Sequence, residues 1–168
     1  MLLWDFESEG WNALVSGMTE GERRDLSLSC IEDALMRIRP SFESAYKAST
    51  VRFLNAALQD FRAHLQDVGS TVAVQDEEAF FDDLHALPEE DPALGLAALV
   101  MAFSEYADCL RNRPLGSAEV LGILSSCYEA VLNEERIPRV TPDAERDNEN
   151  CRGVIDAQRE MVLRFAGR

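Results

Sequence analysis

The densest group of chemically active side chains in this sequence is a run of carboxylates between residues 76 and 91. It holds eight acids and no Lys or Arg: Asp76, Glu77, Glu78, Asp82, Asp83, Glu89, Glu90 and Asp91. On a helix, Glu78 and Asp82 share a face. Such oxygens suit a hard cation, but the run lacks the spacing and the glycine of a calcium-binding loop. It therefore predicts a solvated helix face or a contact surface for a basic protein.

Each of the two histidines follows an aspartate at helical spacing. Asp82 precedes His85 by three residues, and Asp60 precedes His64 by four. Di-iron bundles use a Glu-x-x-His motif on two helices, with a glutamate from each of two more. The second pair here has another spacing and the extra glutamates are not evident. We therefore predict no metal site and no cofactor, and expect Asp–His pairing at the surface.

Linear motifs of catalysis are missing from the sequence. It contains no GxSxG, no HExxH and no phosphate-binding glycine loop, and its glycines are scattered singly. We name no catalytic residue and favour a non-enzymatic role. A carboxylate-based or metal-dependent enzyme is the less favoured alternative, because scattered carboxylates leave no linear motif.

Both tryptophans, Trp4 and Trp11, lie ahead of the first well-capped helix. Tryptophan is enriched at interface hot spots, so this segment could dock on a partner or on a second copy of the chain. The other expectation is that it folds back onto the bundle. We favour the second, because a free apolar stripe endangers solubility.

The net charge of the chain restricts the kinds of molecule that it can bind. With 31 acidic and 16 basic residues, the chain has a net charge of −15. Such a surface repels nucleic acids and anionic lipids and attracts basic proteins, although acidity also simply favours solubility. We predict a protein partner, and neither nucleic-acid nor membrane binding.

Cysteine usage and the apolar segments predict a cytoplasmic protein. The four cysteines form no CxxC pair and lie in or beside apolar helical stripes. The longest apolar run, residues 93 to 103, is shorter than the ~20 residues of a membrane span. Met1 to Trp4 run into acidic residues without a positive leader.

Apolar residues recur at helical spacing between prolines throughout the chain. Thr19 and Glu22 form a capping box for a helix that we expect to run to about Arg39. A short turn of helix follows Pro40, and the next helix carries a stripe of Val51, Leu54, Leu58, Phe61, Leu65 and Val68. Residues 69–75 are predicted to be a loop.

The second half of the chain predicts four further helices. The first spans Glu77 to Leu87, and the second spans Pro92 to Arg111, with Asp91 as its N-cap. Ser117 caps a third, and Thr141 with Pro142 starts the last. Since the first half of the second helix is apolar nearly all round, this helix should be the central, most buried one. We predict one all-α domain over residues 1–168, a bundle of about six or seven helices (19–168) preceded by an amphipathic segment (1–18).

The order of these segments resembles the YjaG-like family of bacterial proteins of unknown function. Leu26 to Phe42, ending in Arg-Ile-Arg-Pro-Ser-Phe, is similar to that family's first long helix. Phe53 to Leu65 is similar to its second helix, with Phe61 in place of the usual tryptophan. Asp91 to Leu110 is similar to its alanine-rich central helix. The resemblance spans about residues 20 to 166, and because the family has no established active site, it implies no functional residue. In size, acidity and helical character the chain also resembles immunity proteins that neutralise bacterial toxins.

Together these observations predict an acidic helical protein that binds another protein, most concretely as a toxin-neutralising immunity protein. The predicted contact residues are Glu77, Glu78, Asp82, Asp83, Glu89, Glu90, Asp91, Trp4 and Trp11. The alternative is a YjaG-like housekeeping protein that self-associates through apolar surface.

Overall fold

The structure, a computed structural model, describes residues 1–65 and 77–168. All regular secondary structure in these residues is helical, which confirms the all-α prediction. The helices are α1 (Leu3–Glu7), α2 (Trp11–Ser16), α3 (Glu20–Arg37), α4 (Phe42–Ala45), α5 (Ala48–Ala63), α6 (Glu77–Glu90), α7 (Leu96–Arg111), α8 (Ser117–Glu134), α9 (Pro142–Asp147) and α10 (Glu149–Ala166). The predicted loop 69–75, together with Val68 and Asp76, lies outside the described residues.

The described chain has ten helices rather than the six or seven predicted, because short helices flank the long ones. Gly10 adopts a left-handed conformation with φ of 87° and separates α1 from α2. The helix predicted from Thr141 divides at Asn148, whose extended backbone ends α9. Its side chain then caps α10 by accepting a hydrogen bond from Cys151 N at 2.9 Å.

Of two predicted helix starts, the structure confirms one and contradicts the other. The capping box at Thr19 is confirmed: Glu22 N donates to the Thr19 hydroxyl at 3.2 Å, and Thr19 N donates to the Glu22 carboxylate at 2.8 Å. The predicted start at Asp91 is wrong. Helix α6 continues through Pro88 to Glu90, and α7 begins only at Leu96. Asp91 caps the intervening turn instead, accepting from Ala93 N at 3.2 Å.

The core is built around α3, α7 and α8. Helix α7 is buried on more than one side, as its composition predicts, and α8 packs against α7, α3, α10 and α2. Helix α6 packs on α7 at the edge of the bundle. The buried apolar side chains form one continuous cluster that includes residues of α1 and α2. No helix of the described residues has the length and apolar character needed to cross a membrane.

Candidate functional site

Helix α6 carries its carboxylates on the outside of the bundle. The exposed side chains are Glu77, Glu78, Asp82, Asp83, Glu89 and Glu90, and we call this set the acidic face. On the inner side of the helix, Leu84 and Leu87 are buried. Because these apolar positions are three residues apart, they define one stripe toward the core and leave the acids pointing outward.

Elsewhere on the described surface, many acids are paired with arginines. Such ion pairs join Arg62 to Asp25 and Glu32, Arg113 to Glu105, Asp108 and Glu119, and Arg159 to Glu7 and Asp156. Hydrogen bonds from Asn112 and Arg113 lower the pKa of Asp108. Within residues 1–65 and 77–168, no Lys or Arg forms an ion pair with a carboxylate of the acidic face. The exposed carboxylates of α6 are therefore concentrated on one helix without an ion-pair partner in the described residues.

Contacts at its inner side hold α6 in place. The Arg111 guanidinium of α7 lies 5.1 Å from the centre of the Phe80 ring and 5.7 Å from that of Phe81. Near the start of the helix, Asn112 donates a hydrogen bond to Glu77 at 3.0 Å. Further along, His85 Nε2 lies 3.0 Å from the Ser104 hydroxyl. These contacts fix α6 on the core helix α7 and leave the acidic face exposed.

Asp91, the last acid of the predicted contact set, does not belong to the exposed face. Its side chain is 3% exposed. The carboxylate accepts hydrogen bonds from Lys47 N at 2.7 Å and from Ala93 N at 3.2 Å. It thereby ties the start of α5 to the turn between α6 and α7, which is a structural role. Beside it lies a polar cleft of about 340 Å³, lined in part by Tyr46, Lys47 and Arg136.

The two tryptophans are also buried, as expected for a segment that folds back onto the bundle. Trp4 is 7% and Trp11 5% exposed, and their rings meet edge to face with centroids 6.0 Å apart. Trp4 Nε1 donates to Gln158 at 2.7 Å, and Gln158 donates to the Leu124 carbonyl oxygen at 2.9 Å. In this structure the tryptophans belong to the core and not to the exposed surface.

Glu145 is a buried carboxylate that sequence reasoning did not detect. One of its oxygens accepts hydrogen bonds from Leu3 N at 2.8 Å and from the Tyr128 hydroxyl at 2.5 Å. The other oxygen is buried without a partner in the described residues. Nothing in the sequence marks this glutamate, because an acid in the first turn of a helix normally faces solvent. Its contacts attach α1 to α8 and α9.

The histidines and thiols do not form a reactive centre in the described residues. His64 Nδ1 lies 3.4 Å from the Asp60 carboxylate, the pairing predicted for it, and 2.8 Å from the Asp60 carbonyl oxygen. His85 contacts Ser104, and the predicted pairing of His85 with Asp82 is not among the ion pairs of the described residues. No group of three or more His, Cys, Asp or Glu side chains in residues 1–65 and 77–168 is arranged to hold a metal ion. The cysteines are buried, and burial raises the pKa of Cys109 to about 12 and that of Cys151 to about 11. These thiols stay protonated near neutral pH, unlike nucleophilic cysteines.

Comparison with models of protein families, with curated proteins and with solved structures found no match. The resemblance to the YjaG-like family stays a prediction. Among the described residues, the acidic face is the most distinctive exposed feature.

Proposed function

We propose that this protein binds a basic protein through the acidic face of α6, most concretely as an immunity protein that neutralises a bacterial toxin. The observation that carries the proposal is that the exposed carboxylates of α6 have no ion-pair partner in the described residues. Six exposed carboxylates share one helix, while arginines neutralise acids on the neighbouring helices. Trp4, Trp11 and Asp91 are not part of the proposed contact surface, because all three are buried.

The position of Glu89 and Glu90 supports a role outside folding. They occupy the last turn of α6, where the helix dipole disfavours negative side chains. Lys47 contacts this end through the Glu90 carbonyl oxygen rather than through either carboxylate. The acids therefore weaken the helix that carries them, and a gain in binding would account for their presence.

The mechanism is electrostatic steering followed by occlusion. A concentrated negative surface accelerates the approach of a basic partner, and rates of such association fall as salt is added. Because α6 is packed on α7 before binding, little ordering of this helix is needed when the partner docks. Once bound, the acidic protein would cover any functional site that lies within the basic surface of its partner.

Affinity capture from native lysate, eluted in a salt gradient, tests the proposal. The wild-type protein is compared with a face variant carrying Glu77→Gln, Glu78→Gln, Asp82→Asn and Asp83→Asn. A matched control carries Glu43→Gln, Glu129→Gln, Asp147→Asn and Glu160→Gln, which removes the same number of exposed charges outside α6. The captured partner is then purified, and its association rate is measured against salt concentration.

The proposal expects a basic partner at one-to-one stoichiometry, released by moderate salt. The face variant should lose at least tenfold in affinity, whereas the control variant should stay within about twofold of wild type. An equal effect of both variants would mean that total charge, and not the acidic face, governs binding. Recovery of the bait alone at low salt would refute charge-driven binding.

One observation favours the alternative of self-association. A largely apolar cleft of about 320 Å³ is lined by Glu32, Leu35, Met36, Phe42 and Leu58. Met36 is 78% exposed. In this alternative, sedimentation shows a concentration-dependent dimer that is insensitive to salt and is abolished by Met36→Glu. A monomer at all concentrations would exclude it.

A further inference from the structure

Two basic side chains line one cleft of this protein without being paired. The cleft beside Asp91, of about 340 Å³, is lined by both Lys47 and Arg136. The Lys47 ammonium donates to the Glu90 carbonyl oxygen and not to a carboxylate. The exposed Arg136 guanidinium has neither an ion pair nor a hydrogen bond in residues 1–65 and 77–168. A chain with a net charge of −15 has many acids available for pairing, so two unpaired cations at one cleft indicate a use for their charge.

The backbone of Arg136 adds to this indication. Arg136 follows the end of α8 and has a φ of 52°, the one positive φ of a residue other than glycine in the described chain. This left-handed conformation is unfavourable for a residue that carries a Cβ atom, and glycine or asparagine usually occupies it after a helix. An arginine here weakens the turn, and a function of its side chain would account for its presence.

Further hydrogen-bond donors lie at the same cleft. Lys47 is the N-cap residue of the 16-residue helix α5, and no side chain caps the N–H groups of its first turn, where the helix carries partial positive charge. Tyr46, which also lines the cleft, is 4% exposed, and its hydroxyl has no hydrogen-bond partner in the described residues. Burial, together with the charges of Glu134 and Asp91, raises the pKa of Tyr46, so this hydroxyl stays protonated and can donate.

The carboxylates near the cleft do not supply the missing partner. Asp91 also lines the cleft, but the backbone N–H groups of Lys47 and Ala93 donate to its two oxygens. Glu134 accepts a hydrogen bond from Gly95 N at 2.7 Å and does not line the cleft. The lining side chains thus carry two positive charges and one negative charge, and the negative one is already hydrogen-bonded. Donors predominate, which is the pattern of a site for an anion.

We propose that Lys47 and Arg136 bind the phosphate group of a small phosphate monoester in this cleft. Such a group carries close to two negative charges at neutral pH and three acceptor oxygens, which match the two cations and the other donors. Arginine can bind two phosphate oxygens at once, and lysine adds a point charge. The volume of the cleft is that of a small-molecule site, so an organic group fits beside the phosphate. This site uses none of the carboxylates of the acidic face and is therefore independent of the proposed protein contact.

Inorganic phosphate and glycerol 3-phosphate are the probes for the test, and acetate is the carboxylate for comparison. Phosphorus NMR at constant ionic strength measures the binding of the two phosphates, and urea unfolding measures the stabilisation that each of the three anions provides. The wild-type protein should bind both phosphates, with glycerol 3-phosphate the tighter, and acetate should stabilise it much less.

Three substitutions assign the binding to the cleft. Arg136→Gln and Lys47→Gln should each weaken phosphate binding by about tenfold or more, as expected for the loss of a hydrogen-bonded charge. The control, Arg139→Gln, removes an exposed arginine of the same loop that does not line the cleft. Its affinity should stay within about twofold of wild type, because an exposed charge outside the cleft is screened.

A further substitution at Arg136 separates binding from folding. Arg136→Gly removes the guanidinium and suits the left-handed backbone, so this variant should unfold at an equal or higher urea concentration and yet lose phosphate binding. Any of three results would overturn the proposal. One is a wild-type protein that responds to neither phosphate in either measurement. Another is phosphate binding that is undiminished in Arg136→Gly or is weakened equally by Arg139→Gln. The third is stabilisation by acetate equal to that by the phosphates.

Discussion

At the scale of single residues, glycines show how closely the core helices approach each other. Gly95, at the start of α7, lies against α8. A Cβ atom added there would lie inside the contact radius of the Ala130 carbonyl oxygen and 3.0 Å from the carbonyl carbon. Gly122, within α8, has open space around the corresponding position and is exposed. Of these two glycines, only Gly95 marks a close approach of two helix backbones.

This contrast predicts opposite effects of the same substitution. Gly95→Ala should lower the free energy of unfolding by about 1–3 kcal/mol, because the backbone of Ala130 has to move. Gly122→Ala should raise it by about 1 kcal/mol, because alanine favours the helix and meets no obstruction. Urea unfolding of both variants beside the wild type measures the difference. A loss of stability in Gly122→Ala equal to that in Gly95→Ala would contradict the packing described for Gly95.

At the scale of elements, α6 carries acids at both of its ends. Glu77 and Glu78 occupy its first turn, where the partial positive charge of the helix terminus favours them. Glu89 and Glu90 occupy its last turn, where the same dipole disfavours them. The two pairs of acids therefore contribute to stability with opposite signs, although both belong to the acidic face.

Neutralising the acids at each end of α6 separately distinguishes what the two pairs contribute to the stability of the protein. Glu89→Gln with Glu90→Gln should stabilise the protein by about 0.5–1 kcal/mol, and Glu77→Gln with Glu78→Gln should destabilise it by a similar amount. Chemical unfolding at low ionic strength provides the measurement, because salt screens these effects. If both double variants shift stability in the same direction, overall repulsion and not the helix dipole dominates α6.

The amino-terminal helices α1 and α2 are the second informative element. Their tryptophans are buried, and the segment is fixed at Glu145, Gln158 and Arg159 of α9 and α10. A short amphipathic segment thus completes the core instead of exposing an apolar surface.

Tryptophan fluorescence reports on this segment alone, since the chain has two tryptophans and both lie in it. The native emission should be blue-shifted relative to the urea-unfolded protein and poorly quenched by iodide. Trp11→Ala should cost about 3–5 kcal/mol of stability, the usual penalty for truncating a buried aromatic side chain. A Trp4→Phe protein isolates the signal of Trp11. Emission and quenching equal to those of the unfolded chain would show that the segment is detached in solution.

At the scale of the whole molecule, buried titratable groups limit stability at alkaline pH. Burial raises the pKa of all four thiols and of the hydroxyls of Tyr46, Tyr106 and Tyr128. The unfolded chain therefore loses these protons at lower pH than the folded protein. Below about pH 9 both states are protonated and the stability is fully present. It falls as the pH rises further, first through the thiols and then through the phenols.

The free energy of unfolding should accordingly be flat near neutral pH and should decline between pH 9 and 11. Each thiol contributes up to about 1.4 kcal/mol per pH unit in that interval. Urea unfolding at several pH values measures the slope. Cys151→Ala should reduce this slope, because it removes a thiol whose folded-state pKa is about 11. A slope that is unchanged in Cys151→Ala, or stability that is constant to pH 11, would show that the thiols are not coupled to folding.

Some features of this protein follow from the sequence alone, because local rules determine them. Helical periodicity predicts the long helices, and the Thr19 capping box fixes the start of α3 within a single turn of chain. The acids of α6 are visible in the sequence itself. Their outward direction follows from the spacing of the buried apolar residues Leu84 and Leu87. Each of these inferences uses residues that are close in sequence, where backbone geometry imposes the contact.

Other features were decided by contacts between distant parts of the chain. Asp91 carries a strong local N-cap signal. Its carboxylate nevertheless accepts a hydrogen bond from the backbone amide of Lys47, which is 44 residues away in the sequence. Glu145 is buried because Leu3 and Tyr128 donate to it, and the tryptophans are buried because α8 and α10 offer a surface. Arg24 is likewise buried, at 3% exposed, although it is a charged residue on a helix whose pattern does not mark it as inward-facing. Burial of a polar side chain depends on which donors the fold brings to it, and no local pattern encodes that.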